Sequence, residues 1–137
     1  MSGIKSRNTK PELWVRSGLH RLGFRYSLHA PAVPGRPDLV LQFHRAVVLV
    51  HGCFWHGHSC KYFKWPGSQR GFWKEKILSN RRRDRRVLTE LQRAGWRTAV
   101  IWECAFREPD KVADQTIARL ARWLDGNRKF LELQGRN

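Results

Sequence analysis

Ten consecutive residues constrain this chain more than any others: His51-Gly52-Cys53-Phe54-Trp55-His56-Gly57-His58-Ser59-Cys60. Three histidines, two cysteines and two aromatics crowd together. They follow an apolar run, Ala46 to Val50, that reads as a buried strand. Thiolate and imidazole donors at this density suit a tetrahedral zinc ion. They suit magnesium and calcium poorly, because those ions take oxygen ligands. Cys53, His58 and Cys60 are close enough in sequence to clasp one ion. The one remaining cysteine, Cys104, follows a second apolar run, Thr98 to Trp102. If the two runs are neighbouring strands, Cys104 arrives at the cluster as a fourth ligand. Two other readings stay open. Cys53 and Cys60 could form a disulfide, which the odd cysteine count and the absence of a secretory-type N-terminus oppose. The thiols could also simply be buried. Spacing alone does not fix which histidine goes to the metal, and it leaves His51 and His56 for other work.

Charge narrows the partner. The 137 residues carry 27 lysines and arginines against 11 acidic residues, a formal net charge of +16. A polyanion is the expected partner, most simply nucleic acid, with affinity that falls steeply as salt rises. A membrane surface fits less well, because the basic residues do not gather on one amphipathic helix. No apolar run approaches the length of a membrane span. The cytoplasm is therefore the expected compartment, with action at the nucleoid. A ribosomal or architectural protein would show the same charge, so charge names no chemistry. Length and hydrophobic content suit one domain spanning 1–137. Residues 1–8 read as a basic arm and 126–137 as a C-terminal tail.

Along the chain, Thr9-Lys10-Pro11-Glu12 opens a helix: Thr9 caps it, Pro11 suits its first turn, and Glu12 stands where a capping box places an acid. Glu12 is thus either a capping residue or a group near the metal. Leu13, Val15, Leu19 and Leu22 continue the helix to Gly23. Phe24 to His29 alternates like a strand. A stiff turn, Pro31 to Pro37, leads to Asp38 and the short strand Leu39 to Leu41, and a hairpin connection, Gln42 to Arg45, returns the chain to Ala46. That hairpin would fold Asp38 against Val50 and His51. Lys61 to Trp73 reads as an aromatic and basic loop, Lys74 to Ala94 as a long basic helix, and Trp96 to Trp102 as a strand. Glu103 to Asp110 is a connector before a last helix, which begins at Asp110 and ends at Gly126. The expected fold is α/β, a small sheet with helices on its faces.

These residues allow phosphodiester hydrolysis. Asp38, at the start of a short strand, is either a turn-capping residue or a metal ligand; as a ligand it offers oxygen to a magnesium ion, which takes carboxylate, water and substrate phosphate together. A neutral histidine is matched to take a proton from water near pH 7. His56 is the first choice, since the clasp encloses it without using it, and His51 the second. Phe54 and Trp55 sit adjacent in a tight loop, where inward room for both is lacking: at least one could pack in the core, or they could insert between base pairs. Trp73 could join them as a wedge between base pairs, whose unstacking costs about a few kcal/mol per step and less at a mismatch.

The pieces resemble one family, the very-short-patch repair endonucleases. The resemblance rests on Asn8-Thr9-Lys10-Pro11-Glu12, Pro34-Gly35-Arg36-Pro37-Asp38, His51-Gly52-Cys53-Phe54-Trp55-His56 and His58-x-Cys60. It continues through Phe72-Trp73-x-x-Lys76-Ile77, Asn80, Arg83-Asp84, Gly95-Trp96-Arg97 and Trp102-Glu103-Cys104. It implies a restriction-endonuclease-like core, a central mixed sheet flanked by helices with a structural zinc site. It implies a magnesium-dependent nick 5′ of the thymine in T·G mismatches in double-stranded DNA, which arise when 5-methylcytosine deaminates. By matching position, Asp38 becomes the magnesium ligand and His56 the catalytic histidine, supported by His51 and Glu12. Cys53, His58, Cys60 and Cys104 become the zinc ligands, and Phe54, Trp55 and Trp73 the intercalating set. Two departures stand out. Val50 replaces a threonine of the best-known member, leaving a backbone carbonyl to serve magnesium, and the arm before the first helix is shorter.

Two rival readings keep part of this. One is a related nickase with other or relaxed specificity. The other is a zinc-stabilised DNA-binding domain without catalysis, which leaves Asp38 and the spare histidines unexplained. A monomer is the default expectation.

Overall fold

A computed structural model describes residues 9–53, 56–58, 64–106 and 112–135, without the side chains of 112 and 113. The first helix, α1 (Lys10–Arg21), is capped as expected: the Glu12 amide donates to Thr9 Oγ1, and Pro11 lies in the first turn. Gly23, at φ 88°, turns the chain out of α1, and the Phe24 amide closes back on the Leu19 carbonyl. That closure takes up Phe24. Only Ser27–Leu28 pairs as strand β1, shorter than the expected Phe24–His29.

Strands β2 (Leu39–Leu41) and β3 (Ala46–His51) form the hairpin, joined by a 3-10 turn, Gln42–His44, and a left-handed Arg45. Helix α2 runs from Arg70 to Arg93, one turn earlier than expected, and so takes Trp73 out of the loop. Strand β4 (Arg97–Trp102) follows, then a 3-10 turn, Glu103–Phe106, and helix α3 (Val112–Asp125).

Among the described residues the sheet has five strands, in the order β1-β2-β3-β4 and then β5 (Phe130–Leu133). The two hairpin pairings are antiparallel, and β3 pairs with β4 in parallel, His51 opposite Trp102. The fifth strand, β5, is parallel to β4 and lies in the segment expected to be a tail. Its apolar pattern is too short to stand out locally. The open edge of β4 and burial of Leu133 at 1% exposure make it a strand.

Alternation along the strands sorts the sheet into two faces. Ala46, Val48, Ala99 and Ile101 pack against Val15 and Leu19 of α1 and Ile117, Leu120 and Leu124 of α3. Val47, Leu49 and Val100 pack against Leu91 and the partly buried Val87 and Leu88 of α2. Helices therefore cover both faces of a mixed sheet, an arrangement that fits a restriction-endonuclease-like fold. Two parallel strands end together at His51 and Trp102. Everything of chemical interest gathers at that end. No helix among the described residues is long and apolar enough to cross a membrane.

Candidate active site and metal centre

The first cluster joins α1 to the hairpin. Asp38 immediately precedes β2, and its Oδ2 accepts the Val50 amide at 2.6 Å. Glu12 is 1% exposed. Its carboxylate takes an ion pair from Arg16 one turn on and meets His29 Nε2 at 3.3 Å. His29 Nε2 also lies 3.9 Å from Asp38 Oδ1. One ligand atom from each of Glu12, His29 and Asp38 falls within 4.8 Å of the others. Burial pushes the Asp38 carboxyl up to about 8; the Val50 amide opposes that rise and Glu12 adds to it. Two carboxylates held together out of water are a charge arrangement that a hard cation relieves.

The second cluster stands on the α2 side of the sheet. His51 closes β3, and its ring stacks on His56 at 4.0 Å between centroids, 7° from parallel. His56 Nδ1 meets Asp84 Oδ2, from α2, at 2.5 Å. Burial holds the His51 imidazole neutral, lowered to about 3, with the neighbouring His56 adding to the effect. Its Nδ1 is buried without a hydrogen-bond partner among the described residues. Asp84 is held below the usual carboxylate range, because the hydrogen bond from His56 and the nearby cationic groups outweigh its burial. A neutral ring and a histidine–carboxylate couple can accept and hold a proton.

The third cluster holds sulfur. Cys53, His58 and Cys104 place one ligand atom each within 4.8 Å of one another, and both thiols are buried. His58 Nδ1 lies 3.6 Å from Cys104 Sγ. That is the span of about 3.6 Å expected between nitrogen and sulfur on one tetrahedral zinc. The turn is closed by the amides of His56 and His58 on the carbonyls of Gly52 and Cys53. It needs Gly57, at φ 61°: a Cβ there would stand 2.5 Å from Ile77 Cγ2 of α2. Parallel pairing of β3 with β4 is what brings Cys104 across from Cys53.

Trp102 links the second and third clusters. It stacks on His58 at 4.0 Å and 10°, and presents an edge to His51 at 5.0 Å. Phe54, Trp55 and Cys60 lie outside the described residues. Trp73 stands half-buried in the first turn of α2, edge-on to Phe72 at 5.2 Å. Beyond it, Arg81, Arg82, Arg83, Arg85 and Arg86 are all exposed along α2. They form a basic surface beside the histidine pair.

Sequence reasoning named Asp84 only within a matching motif, without a role, and passed over His29. Asp84 had a signal: it is the lone acid in Arg81 to Arg86, at seven residues from Ile77 and from Leu91, on the buried stripe of α2. His29 had no signal of its own. Its left-handed backbone, φ 47°, turns its ring to Glu12 and Asp38 through a loop that sequence does not specify.

Comparison with known proteins fits this geometry. A family model described as DNA mismatch endonuclease Vsr matches residues 1–62. A type II nicking enzyme of Xanthomonas oryzae pv. oryzae is 48% identical over 104 residues, covering 76% of each chain. The DNA mismatch endonuclease Vsr of Escherichia coli is 42% identical over 127 residues, 92% of this chain and 81% of that one. A type II nicking enzyme of Neisseria meningitidis serogroup A is 42% identical over 122 residues, 89% of this chain and 86% of its own length. These relatives are DNA-acting endonucleases or nickases, and the chain belongs to the Vsr family of DNA mismatch endonucleases.

Proposed function

We propose that this protein is a magnesium-dependent, strand-specific DNA endonuclease that nicks 5′ of the thymine in T·G mismatches, opening the repair of deaminated 5-methylcytosine. The observation that carries the reading is that the end of β3 bears both centres: Asp38 is fixed on the Val50 amide, and the next residue, His51, stacks on the His56–Asp84 couple. A binding domain would need neither.

Asp38 and the Val50 carbonyl would hold magnesium, with Glu12 in support. The desolvated carboxylate pair fits such a centre, as does a His51 Nδ1 with no partner among the described residues. When bound, the ion polarises the scissile phosphate and stabilises the departing 3′ oxygen. The chain supplies the rest. Asp84 holds the Nδ1–H of His56, which leaves Nε2 to take a proton from the attacking water. Asp84 then stabilises the imidazolium that forms, as the acid of a triad does. His51, kept neutral, offers its ring nitrogen to a water or phosphate oxygen and fixes the plane of His56 by stacking.

Cys53, His58 and Cys104, with Cys60, would hold a structural zinc. Four protein ligands leave no open position, so this ion stiffens the loop and takes no part in the reaction. Phe54, Trp55 and Trp73 would enter the base stack at the mismatch. In this reading residues 1–137 act as one domain and as a monomer on duplex DNA.

One observation favours a neighbouring reading, a nickase with other or relaxed specificity. Val50 packs against the apolar face shared with α1 and α3, where the best-known member has a threonine hydroxyl. Two of the relatives above are named nicking enzymes rather than mismatch endonucleases. A strand-resolved nicking assay with magnesium decides between these. Matched duplexes are compared with duplexes carrying T·G and each other mismatch, beside an Asp38→Ala control. Nicking confined to the thymine strand of T·G supports the repair reading. Asp38-dependent nicking elsewhere moves the specificity, and no Asp38-dependent nicking leaves a binding domain.

A further inference from the structure

The segment from Glu132 to Gly135 makes two contacts with the thiol–imidazole cluster and a third with Trp102, which stacks on it. Trp102 Nε1 donates to Glu132 Oε2 at 2.7 Å. His58 Nε2 meets Gln134 Oε1 at 2.6 Å. The Gly135 amide donates to Cys104 Sγ at 3.3 Å. Leu133, 1% exposed, anchors the segment between them.

Each contact has a chemical consequence. A neutral imidazole donates from one nitrogen and accepts at the other. With Nε2–H given to Gln134, the Nδ1 lone pair of His58 faces Cys104. The Gly135 amide, aimed at sulfur, fixes the position of Cys104 Sγ beside that lone pair. Gly135 is required for that approach, since a Cβ there would collide with the Cys104 carbonyl oxygen and stand 3.0 Å from its carbon. Glu132 fixes Trp102, whose face covers His58 and whose edge meets His51 and His56.

We propose that Gln134 and Gly135 are positioning residues for the metal centre, and that β5 with its extension is a latch that locks the Cys/His clasp into its metal-binding geometry. The proposal rests on the zinc reading of Cys53, His58, Cys60 and Cys104. Partners of this kind orient a metal-bound imidazole and raise its basicity, and their loss typically costs ~10–100-fold in metal affinity. The latch also explains why a segment with so little apolar pattern is ordered: it is fixed by polar contacts at its end and by one buried leucine.

The test measures zinc content and zinc affinity of the full-length protein by competition with a chromophoric chelator, with no reference to cleavage. The wild type should hold one zinc per chain. Gln134→Leu should weaken zinc binding by at least ~10-fold. Gln134→Glu, which keeps the acceptor, should restore it to within about threefold of wild type. Gly135→Ala should weaken it as Gln134→Leu does. Gln134 is exposed, so its variants carry the test even if Gly135→Ala costs the fold. If the wild type holds zinc and Gln134→Leu binds it equally tightly, the latch is wrong and the zinc centre stands. If the wild type holds no zinc before or after reconstitution, the zinc reading fails and the latch with it.

Discussion

His56 Nδ1 lies 2.5 Å from Asp84 Oδ2, tying the loop after β3 to the middle of α2. The two residues are 28 apart in sequence, and the pair sits beside a stacked, neutral His51. In the proposed reaction Asp84 fixes the histidine tautomer and steadies its charged form. Asp84→Asn should therefore lower the single-turnover nicking rate by ~10²-fold or more while leaving DNA affinity unchanged. Rate and affinity measured on one substrate check this. A loss of binding in proportion to the loss of rate would show that Asp84 serves only to hold the loop.

Asp38 makes a stability prediction as well as a catalytic one. Its folded-state pKa, raised to about 8 by burial, lies above the ordinary value of 3.8. Without a cation, the folded chain holds that proton more tightly than the unfolded chain does. The contribution is complete below about pH 4 and is lost as pH rises through about 8. Asp38→Asn should abolish nicking yet raise the melting temperature at about pH 8, without added magnesium, by ~3–5 °C. Added magnesium should stabilise the wild type and leave the variant unmoved. Thermal melts at about pH 5 and pH 8, with and without magnesium, check the pair of effects. An equal pH slope in both proteins would contradict it.

On the acid side His51 acts in the opposite sense. Its pKa is lowered from 6.5 to about 3 by burial, so the unfolded chain takes up a proton that the folded chain refuses. Stability is therefore lost as pH falls from 6.5 toward 3. Asp84, held below its usual range, adds a further loss at the acid end of that window. His51→Gln should flatten the decline in melting temperature between about pH 6.5 and pH 4. Melting curves over that range, compared with wild type, measure it.

The exposed arginines of α2 should govern grip rather than choice. Replacing Arg82, Arg83 and Arg86 by Gln should reduce the slope of log affinity against log salt by about one for each phosphate no longer neutralised. Matched and T·G duplexes should weaken alike, because phosphate contacts carry no base information. Binding titrations at several salt concentrations test this; a selective loss on one duplex would assign these arginines to recognition.

Gly57 should tolerate no side chain. Its left-handed backbone and the 2.5 Å approach of a Cβ to Ile77 Cγ2 combine strain with overpacking. Gly57→Ala should cost about 2–4 kcal/mol of stability, read by chemical denaturation. An unchanged midpoint would mean that the loop moves freely against α2.

Much of this molecule is written locally. The cap at Thr9, the apolar runs 46–50 and 98–102 and the stripe of α2 follow from short-range periodicity, which burial against one face of a sheet demands. Trp73 shows where that ends: helix α2 starts at Arg70, one turn before the apolar stripe announces it, because the first turn of a helix carries little pattern of its own. The strand at Phe130–Leu133 is similarly faint. It is ordered by the open edge of β4 and by polar contacts of Gln134 and Gly135 with residues far upstream.

The sequence by itself determined the α/β class, the donor types and the sign of the partner: sulfur and imidazole in one loop, a carboxylate before a hairpin, and a charge of +16. Only the tertiary structure decided which groups meet. Asp84 came to His56, His29 to Glu12 and Asp38, and Gln134 to His58. The physical reason is reach. Periodicity reports the face a residue occupies within its own element, whereas a pair drawn from two elements depends on strand order, parallel register and helix placement. Those are set by packing of the whole core.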